Sequence, residues 1–191
     1  MSSPPETSPK LIVIAGPNGA GKSTLYTSLL SEKGLPFVNA NHLAKDLKLS
    51  AYEAASLAGE IRERFLRAGK SFIFETVFSD PVGDKVSFMQ KAVELGWEVT
   101  LFYIGIDSPQ QSGDRVASRV SAGGHDVPSE KLEGRYTRSL ENLKRAIQVL
   151  PRVLVYDNSS RKTPHRLVAE FRKGEPYKIS EQDPPHWLPP T

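Results

Sequence analysis

The segment Gly16-Pro17-Asn18-Gly19-Ala20-Gly21-Lys22-Ser23 satisfies the pattern G-x-x-x-x-G-K-[ST] at every fixed position. Glycines at these spacings let the backbone curl until successive N–H groups face one anion, and the start of the following helix adds its dipole. The lysine supplies a point charge for the outer phosphates, and the serine hydroxyl is a hard oxygen ligand suited to Mg²⁺. The expectation is a site for ATP and Mg²⁺ built from Gly16, Pro17, Asn18, Gly19, Ala20, Gly21, Lys22, Ser23 and Thr24, with Ser23 on the metal. No Asn-Lys-x-Asp segment reads guanine, and neither Asp107 nor Asp157, which end apolar runs, is followed by glutamate. That disfavours a GTPase and a motor-type or AAA-type ATPase, and leaves a small-molecule kinase as the leading class.

A kinase needs an acceptor pocket, a group that accepts the substrate proton, and cationic side chains over the phosphates. Asn39-Ala40-Asn41-His42 and Phe74-Glu75-Thr76 both follow apolar runs, so both should open at the carboxyl edge of a sheet, where α/β ligands bind. Glu75 is placed to bond a sugar or ribose hydroxyl, and Asn41 to serve as a site residue, a helix N-cap, or both. Arg115 and Arg119 are four apart and share a helical face; Gly123-Gly124 breaks that helix, and a second one carries Arg135 and Arg138. A hinged pair of arginine-bearing segments suits a lid over a transferring phosphoryl group, because guanidinium meets phosphate oxygens in a fork. His125 beside the double glycine reads as a structural loop histidine, and no cluster has transition-metal spacing.

These residues must be held by elements that the apolar pattern reveals. Leu11–Ala15, Ser71–Glu75, Glu98–Ile106 and Arg152–Tyr156 are continuous apolar runs of strand length, with Phe37–Asn39 a shorter one. Lys22–Glu32, Ala51–Ala68, Asp84–Leu95 and Glu130–Leu150 have helical spacing; in the second, Ala54, Leu57, Ala58, Ile61 and Phe65 share one face while Arg62, Glu63 and Arg67 are expected to point outward. The alternation predicts an α/β fold: a three-layer α/β/α P-loop NTPase with a mainly parallel sheet and an arginine-bearing helical lid.

At 191 residues the chain is expected to be one domain. It has no cysteine, which excludes disulfides and thiolate chemistry. Of 15 prolines, eight fall in the 28 residues of 1–10 and 174–191, so the kinase domain is expected over 11–173 between two proline-rich tails, with Trp187 keeping a docking role open for the second. No run approaches a membrane span, and residues 1–10 lack an apolar leader core, so a cytoplasmic protein without membrane partner is expected. A net charge of +3 from scattered residues does not favour nucleic acid.

Together the segments GPNGAGKST (16–24), FVNANHLA (37–44), FETV (74–77), RVASRVSAGGHDVP (115–128), RYTRSLENL (135–143) and VYDNS (155–159) resemble the zeta toxin family of P-loop kinases. The resemblance spans roughly residues 11–174 and is most specific in the GGHDVP and RYTRSL combination. It implies ATP-dependent phosphorylation of a UDP-amino sugar such as UDP-N-acetylglucosamine, with Lys22 and Ser23 on phosphate and Mg²⁺. Glu75 and Thr76 would face the sugar nucleotide, and Arg115, Arg119, Arg135 and Arg138 would hold ATP phosphates. An antitoxin partner follows from the analogy alone. The family's proton-accepting aspartate is matched here by Asn41, whose amide orients a hydroxyl but takes no proton at neutral pH. A slow kinase, a kinase with another base (His42 or Asp46) or another acceptor, an intentionally inactivated chain, and a nucleotide-binding module without transfer all remain open. So does a kinase of another nucleotide or of a polynucleotide end.

Overall fold

The computed structural model describes residues 8–121, 129–180 and 184–189. Its elements run β1 (Lys10–Ala15), α1 (Lys22–Leu25), β2 (Phe37–Val38), α2 (Ala40–Leu47), α3 (Ala51–Arg67), β3 (Phe72–Thr76) and α4 (Asp84–Glu94). They continue with β4 (Glu98–Gly105), α5 (Pro109–Ser121), α6 (Ser129–Val149), β5 (Val153–Asp157), β6 (Arg166–Arg172) and β7 (Glu175–Ile179). The strands form one sheet in the order β2-β3-β1-β4-β5-β6-β7. The first five are mutually parallel, whereas β6 and β7 run antiparallel to their neighbours. The expected α/β P-loop NTPase fold is what the chain adopts.

The apolar runs are continuous because both faces of the parallel strands are covered. Leu11, Val13, Phe72, Phe74, Leu101, Tyr103, Val153 and Val155 pack beneath α3, α4 and α6 through Ala58, Met89, Leu143 and Ala146. On the opposite face Ile12, Ile14, Ile73, Ile104 and Ile106 meet Leu25 and Leu30. Each such side chain, fully buried, contributes about 1.5–3 kcal/mol. Beyond α1 the helix loosens into a π-helical turn at Tyr26–Leu30 and a 3₁₀ turn at Ser31–Lys33, where the Tyr26 and Phe37 rings stack 3.8 Å apart.

Order extends beyond the boundary expected at Lys173. Strand β7 adds an exposed edge to the sheet, where the Arg172 guanidinium lies 3.5 Å over the Tyr177 ring. Trp187 is 6% exposed and stands on Gly105, so close that a Cβ built there would meet the indole at 2.2 Å. Only glycine at the end of β4 leaves room for that ring, so the tail docks in the core at Trp187. No described helix is long and apolar enough to cross a membrane.

Candidate active site

The P-loop leaves β1 at Ala15 and closes on α1. Gly16 (φ 147°) passes so near β4 that a Cβ would lie 2.1 Å from the Ile104 carbonyl, and Gly21 (φ 89°) holds a left-handed conformation against Asn158 and His165. A side chain at Gly16 would have to move backbone, and one at Gly21 would be strained in its left-handed conformation and would displace the Asn158 amide and the His165 ring. The buried Lys22 folds back over the loop, its Nζ donating to Gly16 O at 2.9 Å and Pro17 O at 3.0 Å.

The loop's carbonyls are taken by side chains from elsewhere. Ser112 Oγ donates to Asn18 O (2.7 Å) and Arg115 Nη1 to Gly19 O (3.3 Å). Asn158 Nδ2 donates to Ala20 O at 2.9 Å, and His165 Nε2 meets Gly21 O at 3.0 Å. Arg115 also reaches Asn158 O (2.8 Å) and Ser159 O (3.3 Å), tying α5 to the loop after β5. Burial, and then the neighbouring Arg161, lower the Arg115 pKa, against the pull of Asp157. The Ala20 N–H closes a turn on Pro17 O at 3.3 Å, and with the carbonyls occupied the other N–H groups of the loop are those that can face an anion.

Beside the P-loop lies a carboxylate. The register of β1 on β3 sets Ile14 opposite Glu75 and Ala15 opposite Thr76. Glu75 Oε2 accepts from Ser23 Oγ at 2.9 Å and from Asn39 Nδ2 at 3.0 Å. Asn39 is 4% exposed and is the residue that caps α2, its Oδ1 accepting from the Asn41 backbone N–H at 2.8 Å. The cap expected at Asn41 therefore belongs to Asn39; Asn41 sits in the first turn with an exposed side chain. The serine hydroxyl and the carboxylate together are hard oxygen donors of the kind Mg²⁺ takes alongside water and phosphate, so the residues present fit that ion. Among the described residues no group of three or more His, Cys, Asp or Glu gathers to hold another metal.

Next to Glu75 opens a cavity of about 240 Å³ whose polar lining is Asn39, Asn41, Glu75, Thr76, Arg62 and Lys85. Glu75 is the sole carboxylate in that lining, while His42 and Asp46 lie outside it. Arg62 corrects the outward-facing expectation: its guanidinium lies 5.0 Å over Phe74 and 5.9 Å over Phe88. Thr76 Oγ1 accepts from the Phe78 N–H at 3.0 Å, steadying a fully buried Phe78 in the left-handed region at φ 63°.

The lid residues divide. Arg115 contacts the P-loop; Arg138 Nε donates to Ser79 O (2.8 Å), and Asn142 Nδ2 to Phe78 O (3.0 Å) and Asp80 O (2.9 Å), strapping the loop after β3 to α6. Arg135 is half-buried on α6, Arg119 lies on α5, and the expected hinge Gly123-Gly124 with His125 lies outside the described residues. Asn39 belongs to the pocket segment expected from sequence, whereas Arg62, Lys85, Ser112, Asn158 and His165 are site residues that the sequence reading does not single out. Only Asn158 carried a signal, inside VYDNS.

The fold and loop define a P-loop kinase-like, ATP-binding protein. A family profile described as AAA domain matches residues 11–145, and the chain belongs to that family. The motor signature of an Asp-Glu pair is still missing, since Glu75 near the end of β3 is followed by Thr76 and Asp157 at the end of β5 by Asn158. An uncharacterized protein of Haemophilus influenzae is 28% identical over 132 residues, covering 66% of this chain and 92% of that protein. A chain of the AvrRxo1-ORF1:AvrRxo1-ORF2 complex with sulphate ions superimposes with a TM-score of 0.71 at 18% identity over 93% of this chain; the match covers only 62% of that longer chain. The same complex with ATP gives 0.68 at 20% identity, covering 91% and 61%. A structure from the PezAT chromosomal toxin–antitoxin system of Streptococcus pneumoniae gives 0.60 at 15% identity over 86% of this chain and 72% of that one. A Chloroflexus aurantiacus protein described as a kinase by proposal gives 0.58 at 19%, covering 82% and 92%. These likenesses establish the fold.

Proposed function

We propose that the protein is an ATP-dependent phosphotransferase of zeta toxin type, moving the γ-phosphate of ATP to a hydroxyl of a UDP-amino sugar such as UDP-N-acetylglucosamine. The observation that carries this reading is Glu75: one carboxylate bonds the P-loop serine and also lines the neighbouring cavity, so donor and acceptor sites share a wall. P-loop amides and Lys22 hold the ATP phosphates, with Thr24 following in α1. Ser23 and Glu75 would hold Mg²⁺, which when bound neutralises charge on the β- and γ-oxygens. The acceptor hydroxyl oxygen bonds to the γ-phosphorus, the bond to the bridging oxygen breaks, and ADP departs. Asn41 orients that hydroxyl, Thr76 lines its pocket, and the proton passes to Glu75 Oε1, the oxygen to which neither Ser23 nor Asn39 donates. Arg115 is already at the loop, and Arg119, Arg135 and Arg138 are the further cations proposed to close over the phosphates. A cytoplasmic location belongs to the same proposal, and so does an antitoxin partner, by analogy with the toxin–antitoxin system among the similar structures.

The test is ATP consumption by purified protein with Mg²⁺. Addition of UDP-N-acetylglucosamine should stimulate it and yield a phosphorylated sugar nucleotide, and Lys22→Met should abolish both. No stimulation by a panel of sugar nucleotides, nucleosides and small alcohols would defeat the kinase reading. Asn41 favours a second reading, an ATP-binding module without transfer, which predicts Lys22-dependent ATP binding and no phosphorylated product.

A further inference from the structure

Resting on that reading of the cavity as the acceptor site, we propose that Arg62 and Lys85 form an anion subsite that selects acceptors carrying a phosphate or diphosphate group. Both side chains line the cavity beside Glu75. Among the described residues neither makes a hydrogen bond or an ion pair: the Arg62 guanidinium lies over the Phe74 and Phe88 rings, and Lys85 has no polar partner. The other charges near them are Glu63 beside Arg62, and Asp80 and Asp84 near Lys85, none close enough to pair. Burial lowers the pKa of each, and the Lys85 ammonium is lowered further by Arg62 itself. Lys85 also stands in the first turn of α4, the end of a helix where a cation is least welcome. Two like charges, partly withdrawn from water and without a counter-ion, are a cost to the folded chain unless an anion joins them.

The geometry fits a phosphate ester better than a merely structural arginine. A guanidinium held over aromatic rings spends none of its N–H donors on them and keeps its fork for oxygen acceptors, and the ammonium adds a second, mobile point of charge. Glu75 on the P-loop side repels an anion at that end. The cavity therefore orients its occupant, with the hydroxyl at Glu75 and Asn41 and the anionic group at Arg62 and Lys85.

The experiment is calorimetric titration of the full chain with its P-loop already filled by Mg²⁺ and a non-hydrolysable ATP analogue, so that added diphosphate cannot enter there. UDP should bind at least about ten-fold tighter than uridine, in line with charge-assisted hydrogen bonds. Lys85→Gln and Arg62→Gln should each remove most of that margin while leaving uridine and the ATP analogue unaffected. Because Lys85 makes no hydrogen bond or ion pair among the described residues, Lys85→Gln should fold with an unliganded thermal midpoint equal to or above the parent's. Equal affinities for UDP and uridine, or full UDP affinity in both variants, would overturn the subsite. The readout is binding, so a protein that binds UDP through these cations yet yields no product would refute the kinase and leave the subsite standing. A protein that phosphorylates the sugar nucleotide but binds UDP and uridine alike would do the reverse.

Discussion

The contact between Trp187 and Gly105 lends itself to a double-mutant cycle. Burying an indole of roughly 200 Å² at ~25 cal/mol per Å² is worth about 5 kcal/mol. Against this, Trp187 Nε1 is buried without a hydrogen-bond partner among the described residues, which takes back about 1–3 kcal/mol. Trp187→Ala is thus expected to cost about 2–4 kcal/mol, somewhat below the usual range for an aromatic truncated in a core. Gly105→Ala places a methyl where the ring stands, 2.2 Å from its nearest carbon, and overpacking of that kind costs about 1–3 kcal/mol. In the Trp187→Ala background the methyl meets empty space, and most of its cost should vanish. Urea unfolding of the four proteins, with unchanged m-values, yields a coupling energy of about 1–3 kcal/mol if the ring is seated as described. Simple additivity, or a Trp187→Ala cost under about 0.5 kcal/mol, would refute the docking of the tail and the reasoning from the glycine.

Two further outcomes follow from the site and the sheet. Asn41→Asp adds to the acceptor cavity a second carboxylate, one not shared with Ser23, and transfer measured by product formation should rise by about one to four powers of ten; an unchanged rate would refute the placing of Asn41 at the reacting hydroxyl. Glu170 is buried, and although burial alone would raise its pKa, hydrogen bonds from Arg172 Nε (2.8 Å) and Arg152 Nε (3.0 Å) outweigh it and hold the carboxyl below its ordinary value. A depressed carboxyl stabilises the fold above its unfolded pKa, and that share is lost as pH falls through the folded one. Urea midpoints between about pH 6 and pH 3 should accordingly fall more steeply for the parent than for Glu170→Gln.

What the sequence disclosed depended on how locally each feature is encoded. The P-loop and the five parallel strands are contiguous runs whose residue types answer to backbone curl and two-sided burial, and they were legible. Asn39 and Asn41 were not separable by type, because either amide can cap a helix. The continuation of β2 beside β3 turns Asn39 inward to Glu75 and leaves Asn41 facing the cavity mouth. Arg62 fell on the polar side of its helix by periodicity. The rings that hold it, Phe74 and Phe88, come from β3 and α4, so no window along α3 reveals them. Trp187 was hidden in the same way, since its seat is a missing Cβ 82 residues upstream at Gly105. Strand β7 contains Pro176 and lies on the open edge of the sheet, where a missing amide donor is tolerated.

The side chains that occupy the P-loop carbonyls have a kinetic meaning as well as a geometric one. Ser112, Arg115, Asn158 and His165 are spread over 54 positions of the chain, yet they converge on four successive carbonyls, from Asn18 to Gly21. The loop is thereby set in its anion-receiving shape before any nucleotide arrives. An arriving triphosphate displaces water and the folded-back lysine rather than reorganising peptide units. Little conformational entropy is then left to lose on capture, and encounter rather than refolding of the loop governs how fast the nucleotide is taken up. The same arrangement makes α5 and the segment after β5 mechanical extensions of the loop, so a shift in either is felt at the phosphates without passing through the sheet.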